Sequence, residues 1–466
     1  MRITRRNALQ ISSLGVLGLG LPQFLQAQAA TLADRGPEQR IRSCIFIFYY
    51  GGPSHLDTFD MKPAAPAEVR GEFKPISTSV PGLQISEYLP HTARIMHKVA
   101  VVRGMHHTMR FHDSASYQTL TGRVSLAGDT ENFGERPDSF PSYGTCLSYA
   151  RRNRRIVVPH ASLPFVMNNN LPNPGQTAGF LGKTFQPLLI QGDPETLTYR
   201  AGLPHLREGM TREGLYERDA LRRTLDRLAG LPSSGPSMDV FYERAFDLLA
   251  SDTVRKALDI RQEPQATRER YDYGPTGEPF DDNPKRKKRS ESAIGRNMRG
   301  INLLMARRLV EAGVSFVNVY DYKQQGKNWD THADNFIYHK NCLLPPADKA
   351  FAALIKDLDE RGLLDTTLVV ALGEFGRTPR INSKAGRDHW PDCYTALIAG
   401  GPVKGGHLHG ASDRLGAYPD RDPVTPADLA ATIFTLFGVD PATKVHDPGG
   451  RPYRISEGKP ILELFT

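Results

Sequence analysis

The stretch from Leu368 to Trp390, LVVALGEFGRTPRINSKAGRDHW, limits the fold more than any other. Leu368 to Leu372 is apolar and rich in valine, which reads as a buried strand. The run stops at Gly373-Glu374-Phe375-Gly376 and gives way to a polar loop carrying Arg377, Arg380, Arg387, Asp388 and His389. Strands buried on both faces belong to sheets covered by helices. In such sheets ligands bind beyond the carboxyl ends of the strands. A carboxylate at the strand's end and a histidine in the next loop make Glu374 and His389 the anchor of a candidate site.

The same pattern recurs along the chain. Ile41 to Tyr50 reads as a strand that breaks at Gly51-Gly52-Pro53 and delivers His55, Asp57 and Asp60. A Gly-Gly turn lets backbone and side chains crowd a bound ion. After a short helix (His91 to His97) and a strand (Lys98 to Arg103) come His106, His107, His112, Asp113 and Ser114. A helix follows over Ser116 to Gly122, with Asp113 or Ser114 as N-cap. A hydroxyl there lies in the positive field of the helix, so Ser114 reads as a cap or as a nucleophile. Ile294, Met298, Ile301, Met305 and Leu309 mark one face of a helix that ends at Ala312-Gly313. The strand Val314 to Tyr320 then delivers Asp321, Asp330, His332 and Asp334. A helix over Ala347 to Arg361 returns the chain to Leu368, Tyr394 to Ala399 is a further strand, and Ala427 to Phe437 a helix capped by Gly438. This alternation predicts an α/β fold, a three-layer α/β/α sandwich with a mainly parallel central sheet. Residues 151–205, rich in Pro, Asn and Gly, read as loops and short strands. Helical spacing after Arg207 and a polar linker from Gln262 to Ser292, with the solvated run Lys285 to Arg289, read as an insertion at about 207–292.

Composition narrows the setting. Of 466 residues, 39% are hydrophobic and 24% charged, ordinary for a soluble protein. Thr4-Arg5-Arg6-Asn7-Ala8-Leu9, the apolar Ile11 to Leu21, and Ala27-Gln28-Ala29 form a twin-arginine signal peptide over residues 1–29. That signal implies the twin-arginine export machinery as a partner, a periplasmic or exported location, and cargo folded around a cofactor. The rest of the chain, 30–466, is expected to form one domain. Beyond residue 40 no run is apolar for long enough to span a membrane. The signal carries three arginines and no acidic residue, so its loss lowers the net charge from +8 to +5. This mild excess suits an anionic substrate and does not argue for nucleic acid. Cys44, Cys146, Cys342 and Cys393 form no CxxC pair, which leaves zinc-ribbon and thioredoxin readings unsupported; their disulfide pairing is not legible.

Carboxylates and imidazoles thus gather after four predicted strands. Mixed ligands of this kind suit a divalent metal ion, zinc first, with manganese, magnesium or calcium as alternatives. Asp57, Asp330, His332, Glu374 and His389 are the expected ligands, converging in one pocket. Such an ion can activate water or an alcohol and hold the oxygens of a phosphoryl or sulfuryl group. Arg377 is expected to stabilise the transferring group, and His112, Arg380 and Arg387 to bind the substrate.

GGPSHLDTFD (51–60), LMARRLVEAGVSFV (304–317), NWDTH (328–332), LVVALGEFGRTPRI (368–381), GRDHW (386–390) and AGGPVKGG (399–406) closely resemble the bacterial family called domain of unknown function 1501. The resemblance covers nearly all of the chain after the signal, and twin-arginine export is usual for that family. It implies an alkaline phosphatase- and sulfatase-like sandwich with one or two metals and a Ser, Thr or Cys nucleophile. Asp57 would then take the place of the first-strand metal ligand, and Asp113-Ser114-Ala115 that of the phosphatase Asp-Ser-Ala. Asp330 and His332 would stand for an Asp/His pair on one metal, Glu374 for the Asp of Asp-His-Gly, and His389 for the last metal histidine. Phe375 replaces the second-metal histidine, and Asp330 and His332 are two apart where the phosphatase pair is four apart. The resemblance therefore implies either a metal-dependent hydrolase of a phosphate or sulfate ester, small or polysaccharide, or a binding or scaffold protein that has kept the fold.

Overall fold

The computed structural model describes residues 38–154, 156–193, 198–201, 252–271, 292–322 and 328–465, with isolated positions between 214 and 225. The expected signal peptide, most of the expected insertion at about 207–292 and the run Lys285 to Arg289 lie outside these residues.

Nine strands form one sheet: β1 (Ser43–Phe48), β2 (Val99–Met105), β3 (His160–Leu163), β4 (Leu188–Asp193), β5 (Thr198–Ala201), β6 (Phe316–Tyr320), β7 (Thr367–Leu372), β8 (Tyr394–Ala399) and β9 (Leu408–His409). Their spatial order is β9-β2-β8-β7-β1-β6-β3-β4-β5. The centre is parallel: Phe46 of β1 pairs with Asn318 of β6 on one side and with Val370 of β7 on the other. Every residue of β1, β6 and β7 is buried. This is why these segments read as unbroken apolar runs with no period of two.

Five helices cover the sheet and frame the site: α1 (His112–Thr121), α2 (Tyr143–Ala150), α3 (Ser292–Glu311), α4 (Leu344–Glu360) and α5 (Pro426–Leu436). Tyr143 of α2 packs edge-on against Phe46 of β1 and Phe434 of α5, which builds one helical layer. α3 and α4 form the other, tied to the sheet where Arg299 holds Asp321 just beyond β6. The protein is thus an α/β fold with helices on both faces of a mainly parallel sheet. α5 opens with a full capping box, Thr425 with Asp428, and Pro426 in its first turn. Among the described residues no helix is long and apolar enough to cross a membrane.

The sheet is mainly parallel, as expected, with β8 antiparallel to both β7 and β2 and β5 antiparallel to β4. Several expectations change. The segment 151–205, read as loops and short strands, supplies three strands of the central sheet. Their short length and the intervening Pro and Gly hid their bounds and their membership of the sheet, because four to six residues carry few positions to show a pattern. α1 begins at His112, four residues before the expected Ser116, with Phe111 as N-cap and no side-chain cap. Asp113 and Ser114 therefore lie inside the first turn and are not caps. All four cysteines are free and buried.

Candidate functional site

The site forms where loops leave one edge of the sheet. β1, β2, β6 and β7 all point their carboxyl ends to it. β8 is reversed, so the residues preceding it reach the same edge. Glu374 follows β7, Asp330 and His332 follow β6, and His112 follows β2, whereas His389 arrives on the way into β8. A two-residue ladder pairs Gly376-Arg377 with His389-Trp390 and sets the His389 ring.

Glycines permit the closure. Gly51 and Gly52 both have positive φ, and a Cβ on either would lie within 3 Å of other atoms: the Asp330 backbone nitrogen for Gly51, the Phe375 ring for Gly52. The Gly-Gly turn thus lets the β6 and β7 loops meet over the end of β1.

Asp330 Oδ1 is the centre of the cluster. It lies 3.4 Å from Nε2 of His112, 3.0 Å from Nε2 of His332, 3.2 Å from Nε2 of His389 and 2.7 Å from the Arg377 guanidinium. The Nε2 atoms of His332 and His389 are 3.0 Å apart. Each ring has its other nitrogen engaged by an oxygen. Nδ1 of His112 donates to Glu374 Oε1 at 2.6 Å, that of His332 to Asp388 Oδ1 at 2.6 Å, and that of His389 to the Arg110 carbonyl at 2.8 Å. An imidazole fixed this way carries its lone pair on Nε2 when neutral. In the neutral form three such lone pairs face a carboxylate oxygen, which is repulsive, and either protons on the rings or a metal cation among them relieves it.

The charges follow from this crowding. Burial lifts the Asp330 carboxyl, but Arg377 and the three histidines outweigh it and hold the group well below the usual carboxylate range. Burial works against a charged His112, yet Asp330 and Glu374 on either side push its pKa up to about 9. The bond to Asp330 raises His332 as well. His389 goes the other way: burial lowers it to about 4, against the pull of Asp330.

Donor atoms of His112, Asp330 and His389 lie within 4.8 Å of one another, as a shared metal ion requires. The residues fit such an ion. Nε2 of His112 is buried without a hydrogen-bond partner among the described residues. Mixed imidazole and carboxylate donors are those of zinc or manganese.

The expected residues separate into groups. Asp330, His332 and His389 come together, and His112, expected at the substrate, joins them. Glu374 stands one bond behind, with Oε1 also accepting from the Gly51 amide at 2.8 Å. Asp57 does not join: Arg387 donates to both its oxygens at 2.8 and 3.0 Å, and Ser54 and Asn335 add bonds at 2.6 and 2.9 Å. A cation at Asp57 would have to displace a buried guanidinium. Arg387 is for the same reason not at the substrate, since its remaining hydrogens go to the Thr378, Pro379 and Val69 carbonyls. Arg377 is also fully buried and ties Asp330 to the Gly51, Gly52 and Arg387 carbonyls. Arg380 is exposed on the loop beyond. The Ser114 hydroxyl turns away to Asp129 Oδ1 at 2.7 Å and to the Phe111 carbonyl. Phe375 packs its ring against His389 and His112, with centroids 4.5 and 5.0 Å away. Sequence patterning assigned no role to Asp388, although it stands beside His389 in the GRDHW motif. Adjacency to a candidate ligand was the signal that could have found it.

A mainly parallel α/β sheet with an imidazole–carboxylate cluster at its carboxyl edge defines the class of protein. The chain belongs to the family described as protein of unknown function (DUF1501), whose model matches residues 41–465. Its fold is similar to that of a phosphonate monoester hydrolase from Silicibacter pomeroyi, at 13% identity and TM-score 0.39, over 91% of this chain and 76% of that one. It is also similar to a protein in the alkaline phosphatase superfamily from Vibrio parahaemolyticus, at 12% identity and TM-score 0.37, over 87% and 69%. A mutant of alkaline phosphatase PafA aligns at 10% identity and TM-score 0.43, over 92% and 100%. No curated protein matches. These likenesses are remote, and the chemistry of this chain rests on its own side chains.

Proposed function

We propose that the protein is a metal-dependent hydrolase of a phosphate or sulfate ester. The observation that carries this is the convergence of three histidine Nε2 atoms on Asp330 Oδ1, each ring oriented by an oxygen at its far side. His112, Asp330 and His389 would hold one divalent cation, with His332 at its solvent side. When bound, the ion supplies a Lewis acid for an ester oxygen and lowers the pKa of water. The chain does the rest. Phe375 closes the floor against water. Arg377 fixes Asp330 in place, and Asp388 orients His332. Arg380, exposed on the adjacent loop, is free to meet the anionic ester. Ser114 has no part in this reading, because its hydroxyl is spent on Asp129, so water is the attacking group. Export through the twin-arginine pathway to the periplasm completes the proposal and rests on the leader sequence alone.

Elemental analysis of purified protein tests it. About one zinc, manganese or similar ion per chain is expected, lost in His112→Ala and His389→Ala, together with turnover of aryl phosphates or sulfates. A wild-type protein that binds no divalent ion across such a series, or variants that keep full metal content, would sink the proposal. Tight metal binding with no turnover would instead favour a binding protein that kept the fold, a reading Phe375 supports by occupying space beside His389 where a further ligand could stand.

A further inference from the structure

Beside the histidine cluster lies an aromatic surface that the proposed chemistry does not use. Trp390 follows His389 on the two-residue ladder, and successive side chains on a strand point to opposite faces. His389 accordingly packs with His112, His332 and Phe375, whereas Trp390 packs with Tyr418, ring centroids 5.7 Å apart at 60°. The Arg110 guanidinium stands 5.9 Å from the Trp390 centroid and pairs with Asp392 at 2.9 Å. Arg110 also links the two faces, since its carbonyl accepts from His389.

The surface is rigid. The indole N–H of Trp390 donates to the Ala417 carbonyl at 2.6 Å. Asp413 accepts from the backbone amides of Leu415, Ala417 and Tyr418 at 2.9, 2.9 and 3.2 Å, and its own amide donates to the Tyr418 carbonyl at 2.9 Å. The turn therefore holds Tyr418 out, 53% exposed. Prepaid order of this kind lowers the entropy cost of binding.

We propose that Trp390 and Tyr418 form a stacking platform for a sugar ring, so that the ester cleaved at the cluster sits on an anionic oligo- or polysaccharide. The proposal rests on the hydrolase reading and deepens it. A pyranose has an apolar face of carbon-bound hydrogens and a rim of hydroxyls. The platform meets it with the two aromatic rings and with Arg110, which lies over the Trp390 ring and pairs with Asp392. Two rings are far too little for a protein partner, which covers about 800 Å² on each side of a stable interface. The ladder sets platform and cluster on opposite faces, so the platform holds a ring of the saccharide other than the one that carries the ester.

The chain has two tryptophans, and Trp329 is buried with its N–H on Asp321. Trp329 is shielded from any surface ligand, so a ligand-induced change in tryptophan emission reports Trp390. The test titrates the full chain with carrageenan, chondroitin and glucan tetrasaccharides, sulfated and unsulfated, and with p-nitrophenyl sulfate and phosphate as single-ring esters. A saturating change with at least one sulfated tetrasaccharide is expected, weakened about three- to tenfold in Tyr418→Ala by emission and in Trp390→Phe, which lacks the reporter, by titration calorimetry. The ratio of kcat/KM on that tetrasaccharide to kcat/KM on the aryl ester falls by the same factor. No response across the panel, or binding that Tyr418→Ala leaves intact, overturns the platform. The two proposals fail separately: sugar binding without metal-dependent turnover overturns the hydrolase, and aryl turnover without sugar binding overturns the platform.

Discussion

At the scale of single residues, the site depends on which carboxylates touch a ligand and which stand behind it. Glu374 and Asp388 do not reach the centre; they hold His112 and His332 by Nδ1. Partners of this kind typically change metal affinity 10- to 100-fold when removed. Asp388→Asn should therefore weaken metal binding by about that range without unfolding the protein, since its carboxylate is half exposed. Competition with a fluorescent chelator measures it, and an unchanged affinity would contradict the assignment. The sequence already placed Asp330, His332 and His389 correctly beside strand ends. It could not rank Asp57 and Glu374. Both follow strands, and only the fold shows that an arginine 330 positions later saturates Asp57.

At the scale of elements, the same Asp57–Arg387 pair ties the loop after β1 to the loop before β8. Both side chains are fully buried, and the pair works because every remaining hydrogen of Arg387 is satisfied. Removing one partner leaves a buried charge alone, at a cost of about 3–5 kcal/mol. Arg387→Ala should lose about that much in urea unfolding, whereas Arg380→Ala, exposed on the same loop, should stay within about 0.5 kcal/mol. Equal effects of the two would refute this division. Among the elements, those with long apolar runs were legible. Tyr394 to Ala399 was placed to the residue, yet its direction was not. Strand direction depends on the loop path, and the apolar pattern of a buried strand reads the same both ways.

At the scale of the molecule, stability should respond to acid. His107, His160 and His339 are fully buried, and burial lowers each to about 4. Their folded values lie below the unfolded one of about 6.5, so they contribute stability above that value and lose it as pH falls towards 4. Asp113 acts in the opposite sense. Burial, with Glu131 nearby, raises it to about 6, so the folded state takes up a proton that the unfolded chain does not. His389, lowered to about 4 as well, adds to these three histidines, and the four outweigh the opposing carboxylate, so the unfolded state binds more protons near pH 5 and stability falls with acid. Denaturant unfolding between pH 6.5 and 4.5 checks this, and a flat or rising free energy would contradict it. The fold class was legible from the alternation of elements, whereas these titrations depend on burial by distant segments that no local pattern encodes.

The reversed β8 has a further consequence. Because β7 and β8 are antiparallel neighbours, everything from Gly373 to Cys393 is an excursion that leaves the sheet and returns to it within one strand spacing. That excursion carries Glu374, Phe375, Arg377, Arg380, Arg387, Asp388, His389 and Trp390. A relative could acquire a different reaction by exchanging this one cassette, with the scaffold beneath it left as it was.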